Sequence, residues 1–401
     1  MSPTRRSFLQ WSAAVGSAIG LGGIPKLAFG EPPVSPPKEP RRPSGRAPAS
    51  LSILILGGTG FTGPEQVEYA IARGHRVTLF NRNKTRPGLF KGKVAEELVG
   101  DLNDDTSALK GKTFDVVIDN PTTFPAWVRN AGKYLAGNTK HYMFISTTST
   151  YSDQSIVGLN EDSPVHTMPP DLDPYTIDPA NAGKYYGPLK IRAEQEAKKL
   201  YPGITTIIRP CLIVGPLDRT DRFTYWPARI DKGGEILAPD KTDDPCQFID
   251  SRDLAEWMIR MAEMREFGTY NAIGPAHPMT VAQMLYGVKA VTTADAWFTW
   301  VPWEFLQEQK VRPWRDMTVW QPPYGRTAGY QRRDASKAIA KGLTFRPLAV
   351  TAKETLDWHK TRPPSDQDAV LRGEGQNGFS MAREAEVLAA WHAKQKMAGT
   401  P

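Results

Sequence analysis

Leu51-Ser52-Ile53-Leu54-Ile55-Leu56-Gly57-Gly58-Thr59-Gly60-Phe61-Thr62-Gly63 is the stretch on which the fold turns. Leu51–Leu56 is a short apolar run that ends at once in glycine, and it predicts a buried strand. Pro64–Arg73 then predicts a helix with proline in its first turn. Gly57 permits the tight turn between them, Gly60 lets main chain approach a pyrophosphate, and Gly63 lets helix and strand pack closely. Phosphate would sit on the helix N-terminus, where free N–H groups and the dipole favour an anion. Strand, spacing and helix all agree, so a dinucleotide site is expected at Gly57, Thr59, Gly60, Phe61 and Gly63.

Outward from this turn the chain alternates strands and helices. Arg76–Phe80, Phe114–Ile118, Tyr142–Ile145 and Thr205–Ile208 read as strands. Trp127–Leu135 and Tyr186 to about Leu200 read as helices. Such alternation calls for an α/β fold, a doubly wound parallel Rossmann sheet, with a smaller C-terminal substrate lobe. The dinucleotide domain is expected over residues 51–210. The lobe, interleaved with late sheet elements, is expected over 211–370, with helices near Leu254–Met264 and Val281–Val288. A C-terminal helix, Met381–Lys396, is expected on the surface within 371–401.

The end of the second strand selects the cofactor. An acid there would hold the adenosine ribose, but this chain has Phe80-Asn81-Arg82-Asn83-Lys84. Arg82 and Lys84 could meet a 2′-phosphate, which favours NADP over NAD, or face solvent. Asp101 and Leu102, after the third strand, are placed to bracket the adenine. Further on, Tyr186 and Lys190 stand four apart and share one helix face. A lysine so placed can lower the phenol's pKa and bond the nicotinamide ribose, making Tyr186 a base. Ser146-Thr147-Thr148-Ser149-Thr150-Tyr151 ends a preceding buried strand, and its hydroxyls would reach the same site. Tyr185 competes with Tyr186, but four residues on it meets Leu189.

The glycine loop, Phe144-Ile145-Ser146-Thr147 with Tyr151, Tyr186/Lys190 followed by Glu194, Arg209-Pro210 and Val214-Gly215-Pro216 together resemble the extended short-chain dehydrogenases, in the NAD(P)-dependent epimerase/dehydratase group. Gln247–Ala255 is similar to that group's late motif. The resemblance covers about Leu51 to Pro275. It implies that Thr147 holds the reacting oxygen and that Tyr186 and Lys190 are the catalytic pair, acting on a sugar-like or sugar-nucleotide substrate. The 4,6-dehydratases of the group follow the hydroxyl with Asp-Glu, whereas this chain has Thr148-Ser149. That argues against dehydration and leaves epimerisation or simple oxidation and reduction. Leu79–Thr85 also resembles chloroplast stem-loop RNA-binding relatives, which implies a binding protein as the alternative, beside a plain NADP-dependent reductase.

Thr4-Arg5-Arg6-Ser7-Phe8-Leu9 and the apolar run Trp11–Ile24 resemble a twin-arginine export signal over residues 1–30. That implies recognition by the twin-arginine machinery, a periplasmic or otherwise exported protein, and no stable membrane insertion after processing. Seven prolines in residues 31–50 form a semi-rigid linker. These two segments carry five of the formal +7 charges, leaving +2 beyond residue 50, so no nucleic-acid partner is expected. The six histidines show no metal-ligand spacing and no metal site is expected. Trp297, Trp300, Trp303, Trp314 and Trp320 either stack on a sugar or pack the small lobe. Asp218, Arg219, Asp221 and Arg222 form either a substrate loop or an exposed charged one. The sequence leaves a homodimer open.

Overall fold

A computed structural model describes residues 45–373 and 377–398. The expected export signal and the expected linker up to residue 44 lie outside the described residues. From β1 (Ser52–Leu56) the chain runs through α1 (Gly63–Ala72), β2 (Arg76–Asn81), β3 (Glu96–Val99), β4 (Val116–Asp119), α2 (Pro125–Leu135) and β5 (Tyr142–Ile145). It continues through α3 (Tyr186–Leu200), β6 (Thr205–Pro210), β7 (Ile213–Val214), α4 (Tyr225–Asp231), β8 (Gly234–Pro239) and β9 (Pro245–Asp250). Then follow α5 (Ser251–Met264), β10 (Gly268–Ala272), β11 (Gly274–Thr280), α6 (Val281–Lys289), β12 (Ala296–Val301) and α7 (Trp303–Glu308). The last elements are α8 (Ser336–Ala340), α9 (Leu348–Thr361), α10 (Pro364–Arg372) and α11 (Met381–Ala398).

Seven strands form one parallel sheet in the order β10-β6-β5-β4-β1-β2-β3. The two-residue period of a strand sends alternate side chains to opposite faces, and both faces of this sheet are covered. Ile53 and Ile55 therefore join Val67 of α1 and Trp257 and Met258 of α5 in one apolar layer. Leu54 and Leu56 join Val128 and Leu135 of α2 and Ala193 and Ala197 of α3 in the other. Gly63 is what lets α1 sit so close: a Cβ there would lie 2.6 Å from Gly57 O and from Gly58 main chain.

Several limits differ from expectation through pairing that is distant in sequence. β6 runs on to Pro210 because β10 pairs along its whole length. Phe114 makes only an isolated bridge to Thr139, so β4 begins at Val116. Beyond β6, a small sheet β11-β9-β7, the parallel pair β12-β8 and α4, α6 and α7 enclose a separate apolar cluster. The C-terminal helix α11 lies on the surface as expected, with one face tied to the lobe. Val387 and Leu388 of α11 are buried in that cluster, Glu384 pairs with Arg229 at 2.5 Å, and Leu237 N donates to it. A helix this tied belongs to the lobe and does not merely coat it.

Glu263, near the end of α5, ties that helix to the start of β2. Arg73 donates to both carboxylate oxygens (2.8 and 2.6 Å). His75 Nε2 lies 3.0 Å from Oε1, and because His75 Nδ1 accepts from Leu51 N, Nε2 bears the hydrogen. Burial works to raise the carboxyl, but the bonds from His75 and Arg73 outweigh it and hold it at about 2. Folding thus depresses this pKa from 4.5; the stabilisation is full above 4.5 and is lost as pH falls towards 2. Glu263→Gln is expected to cost about 2–3 kcal/mol at neutral pH. Thermal melts at neutral pH and at acid pH inside that window check it: the penalty should shrink in acid, and an equal loss at both would make it a packing effect.

Candidate active site

The sheet order reverses at β1 and β4, with β2 and β3 to one side and β5, β6 and β10 to the other. In open α/β sheets this switch point leaves a crevice beyond the strand C-termini. Here it is a cleft of about 730 Å³. Gly57, Thr59, Gly60 and Phe61 line its first wall, followed by Asn81, Arg82, Asp101 and Leu102. Thr147, Tyr186 and Lys190 line the opposite part. The structure thus brings together every residue expected at the site except Gly63, which sits behind the loop as a packing contact.

Chemically the first half suits a dinucleotide. Gly57 has φ +76°, in the left-handed region that favours glycine. No side chain caps α1, so its first-turn N–H groups are left for an outside acceptor. Asn81 Oδ1 is buried at the end of β2 with no partner among the described residues. Arg82 and Lys84 are exposed at the rim. Sequence reading missed Arg86, whose guanidinium donates to Thr59 O at 2.8 Å and to Gly60 O and so steadies the glycine turn from outside. Nothing local in the sequence marks it.

In the other half, α3 begins at Tyr186, which lines the cleft; Tyr185, just before it, does not, and Lys184 lies 5.0 Å over its ring. One turn on, Lys190 is buried, and its Nζ donates to Thr122 O (2.6 Å) and Ile145 O (2.5 Å). Burial pushes this lysine down to about 8, against the opposing pull of Asp119 and Glu194. The expected lowering of Tyr186 by Lys190 is not found. Burial raises the phenol above its usual range, and what eases it downward is the Thr147 hydroxyl and the charge of Arg222. Lys190 is turned to two main-chain carbonyls instead. Thr147 Oγ1 also accepts from Ser149 N at 3.1 Å, which fixes its side chain.

A buried ion pair braces this wall. Glu194 of α3 accepts from Ser146 Oγ (2.5 Å) and from Arg209 of β6 (3.0 and 2.8 Å), joining β5, α3 and β6 just behind Thr147. Tyr151 is fully buried and donates to Asn271 at 2.6 Å. Of Trp297, Trp300, Trp303, Trp314 and Trp320, Trp314 alone lines the cleft, with its ring 5.1 Å from Tyr330. Trp320 is fully buried, Trp303 packs on it, Trp300 packs on the lobe core and Trp297 is exposed. In the charged loop, Arg222 lines the cleft, Asp221 pairs with Arg362, and buried Asp218 accepts from Thr220. Cys211 and Cys246 are free thiols.

Sheet order and glycine turn define a Rossmann protein with its crevice at the β1/β4 switch point. Residues 53–273 match the NAD dependent epimerase/dehydratase family, and the chain belongs to that family. A curated relative, the chloroplast stem-loop binding protein of 41 kDa b from Arabidopsis thaliana, is 28% identical over 225 residues, 52% of this chain and 54% of that protein. The match thus spans about half the length of that relative. Among solved structures, UDP-N-acetylglucosamine 4-epimerase from Bacillus cereus superposes with TM-score 0.53 at 17% identity, covering 77% of this chain and 98% of that one. UDP-glucose 4-epimerase from Bifidobacterium longum, in complex with NAD+ and UDP, does so with TM-score 0.52 at 16% identity, covering 78% and 98%. At these identities the structures establish the shared fold.

Proposed function

We propose that the protein is an enzyme that holds NAD or NADP in this cleft. It oxidises and then re-reduces one hydroxyl-bearing carbon of a sugar-like or sugar-nucleotide substrate, and so epimerises it. The supporting observation is that the glycine wall and the Thr147/Tyr186/Lys190 group, over eighty residues apart in sequence, face one crevice. When bound, the nicotinamide supplies the hydride acceptor and donor. Thr147 would hold the reacting oxygen by its hydroxyl. Tyr186 would take the hydroxyl proton and return it, with Thr147 and Arg222 lowering the cost of the phenolate. Lys190, fixed by two carbonyls, keeps a third N–H for the nicotinamide ribose.

Positioning by Lys190 requires its ammonium form, and that group titrates at about 8. Turnover is therefore expected to fall as pH rises through about 8, since deprotonation removes the charge and one donor. A pH profile of kcat tests this; a limb that stays flat well into the lysine range would remove Lys190 from the mechanism.

The same proposal includes export. A closed cycle needs no external supply of cofactor, and twin-arginine export moves proteins already folded. Replacing Arg5 and Arg6 by lysine is expected to retain the precursor in the cytoplasm, because the pair is read by a receptor and not as bare charge. Normal export of the double variant, followed by cell fractionation, would assign another route.

A further inference from the structure

Five arginines among the described residues are buried: Arg73, Arg209, Arg229, Arg260 and Arg333. The first four lie against Glu263, Glu194, Glu384 and Glu256 respectively. Arg333 has no carboxylate partner among the described residues, although it is 6% exposed and lines the cleft. Its main chain is pinned on both sides to Gln247 of β9, at 3.0 and 2.8 Å. Its Nη2 donates to Gln154 Oε1 at 2.6 Å and its guanidinium lies 4.3 Å over the Tyr330 ring, while Nε is buried without a partner.

No neighbour supplies the missing charge. Burial pushes the Cys211 thiol up to about 12 and also raises Tyr330 and Tyr151, so all three stay protonated. The same cleft holds a second arginine. Arg222 lines the same end of the cleft and acts on Tyr186, with its Nε bonded only to Thr220 Oγ1 at 2.8 Å. Among the described residues Asp101 is the one acid along the cleft wall, and it belongs to the far, nucleotide end. A buried guanidinium without a counter-ion is costly, and an anion arriving with the substrate would offset that cost. The planar fork of arginine matches a carboxylate. With one face against Tyr330 and Nη2 already engaged, a single edge is left, which suits a planar anion better than a diphosphate.

We infer that Arg333, with Arg222 beside Tyr186, forms a carboxylate-recognition site at the reacting end of the cleft, so that the substrate is a sugar acid. This rests on the dinucleotide-enzyme reading above. It is tested by calorimetric titration of the purified holoenzyme with UDP-glucuronate, UDP-glucose and UDP. The expected result is that UDP-glucuronate binds at least about tenfold more tightly than UDP-glucose, the scale of a hydrogen bond to a charged group. Arg333→Met should erase that preference and leave the affinity for UDP unchanged. Equal binding of the two sugars by the wild type overturns the carboxylate site while leaving the enzyme reading intact. An equal loss for UDP-glucose and UDP in Arg333→Met overturns it too, because the arginine then serves the diphosphate. If no UDP compound binds, the same comparison with free D-glucuronate and D-glucose separates the two readings. A preference lost in Arg333→Met keeps the carboxylate site and removes only the nucleotide, and no preference removes the site. Arg333→Met should also melt at or above the wild-type temperature, since it deletes an unpaired buried charge; a large drop would make Arg333 a structural tie and contradict the inference.

Discussion

Tyr186→Phe is expected to lower turnover by about 10²- to 10⁴-fold, the range for a positioned acid–base group, while leaving dinucleotide affinity unchanged. The variant removes one hydroxyl and keeps the ring. The ring stays at the start of α3, so its packing is kept when the hydroxyl goes. Its functional neighbours, Thr147 and Arg222, stay in place, and the proposed ribose contact belongs to Lys190. Tyr185→Phe is the control, because that residue lies outside the cleft beside Lys184. The assay is hydride exchange between bound cofactor and a panel of sugars and sugar nucleotides. Full activity in Tyr186→Phe with loss in Tyr185→Phe would put the register of the site in error. Indifference to both would favour the nucleic-acid-binding reading that the chloroplast stem-loop relative suggests. The charge of only +2 beyond residue 50 speaks against that reading.

Gly60→Val is expected to abolish dinucleotide binding in a protein that still folds. A Cβ at Gly60 would lie 3.3 Å from Gly57 O, a contact that a shift of a few tenths of an ångström relieves. The valine methyls would then occupy the cleft wall where the pyrophosphate is proposed to sit. Gly63 is different in kind: its Cβ would meet Gly57 and Gly58 main chain at 2.6 Å, and Gly63→Val should unfold the β1–α1 unit. Nucleotide titration together with a thermal melt separates the two cases. Unchanged affinity in a folded Gly60→Val protein would remove the glycine turn from the cofactor site.

The sheet could be read from the sequence where its signal is local. Tyr142–Ile145 and Tyr186–Leu200 have the limits that apolar runs and period suggest. β3, expected before Asp101, has no apolar run to set its limits, because Glu96 and Glu97 precede Leu98, its one buried residue. Site chemistry is less local still. Lys190 sits one turn from Tyr186, yet its partners are the carbonyls of Thr122 and Ile145, 68 and 45 residues away. That is why a pairing inferred from spacing misjudged the direction in which the phenol titrates. Arg332 and Arg333 are adjacent and chemically identical; only the fold exposes the first and buries the second. Trp297, Trp300, Trp303, Trp314 and Trp320 carry the same lesson, since four of the five go to packing or solvent and one to the cleft.

The most direct test of the central claim is the nucleotide carried by the protein itself. Protein purified from its native host, denatured and analysed by mass spectrometry for released small molecules, should yield one NAD or NADP per chain. NADP would assign Arg82 to the 2′-phosphate, and NAD would leave it facing solvent. A chain that releases neither dinucleotide, and takes up neither on titration, would contradict the account.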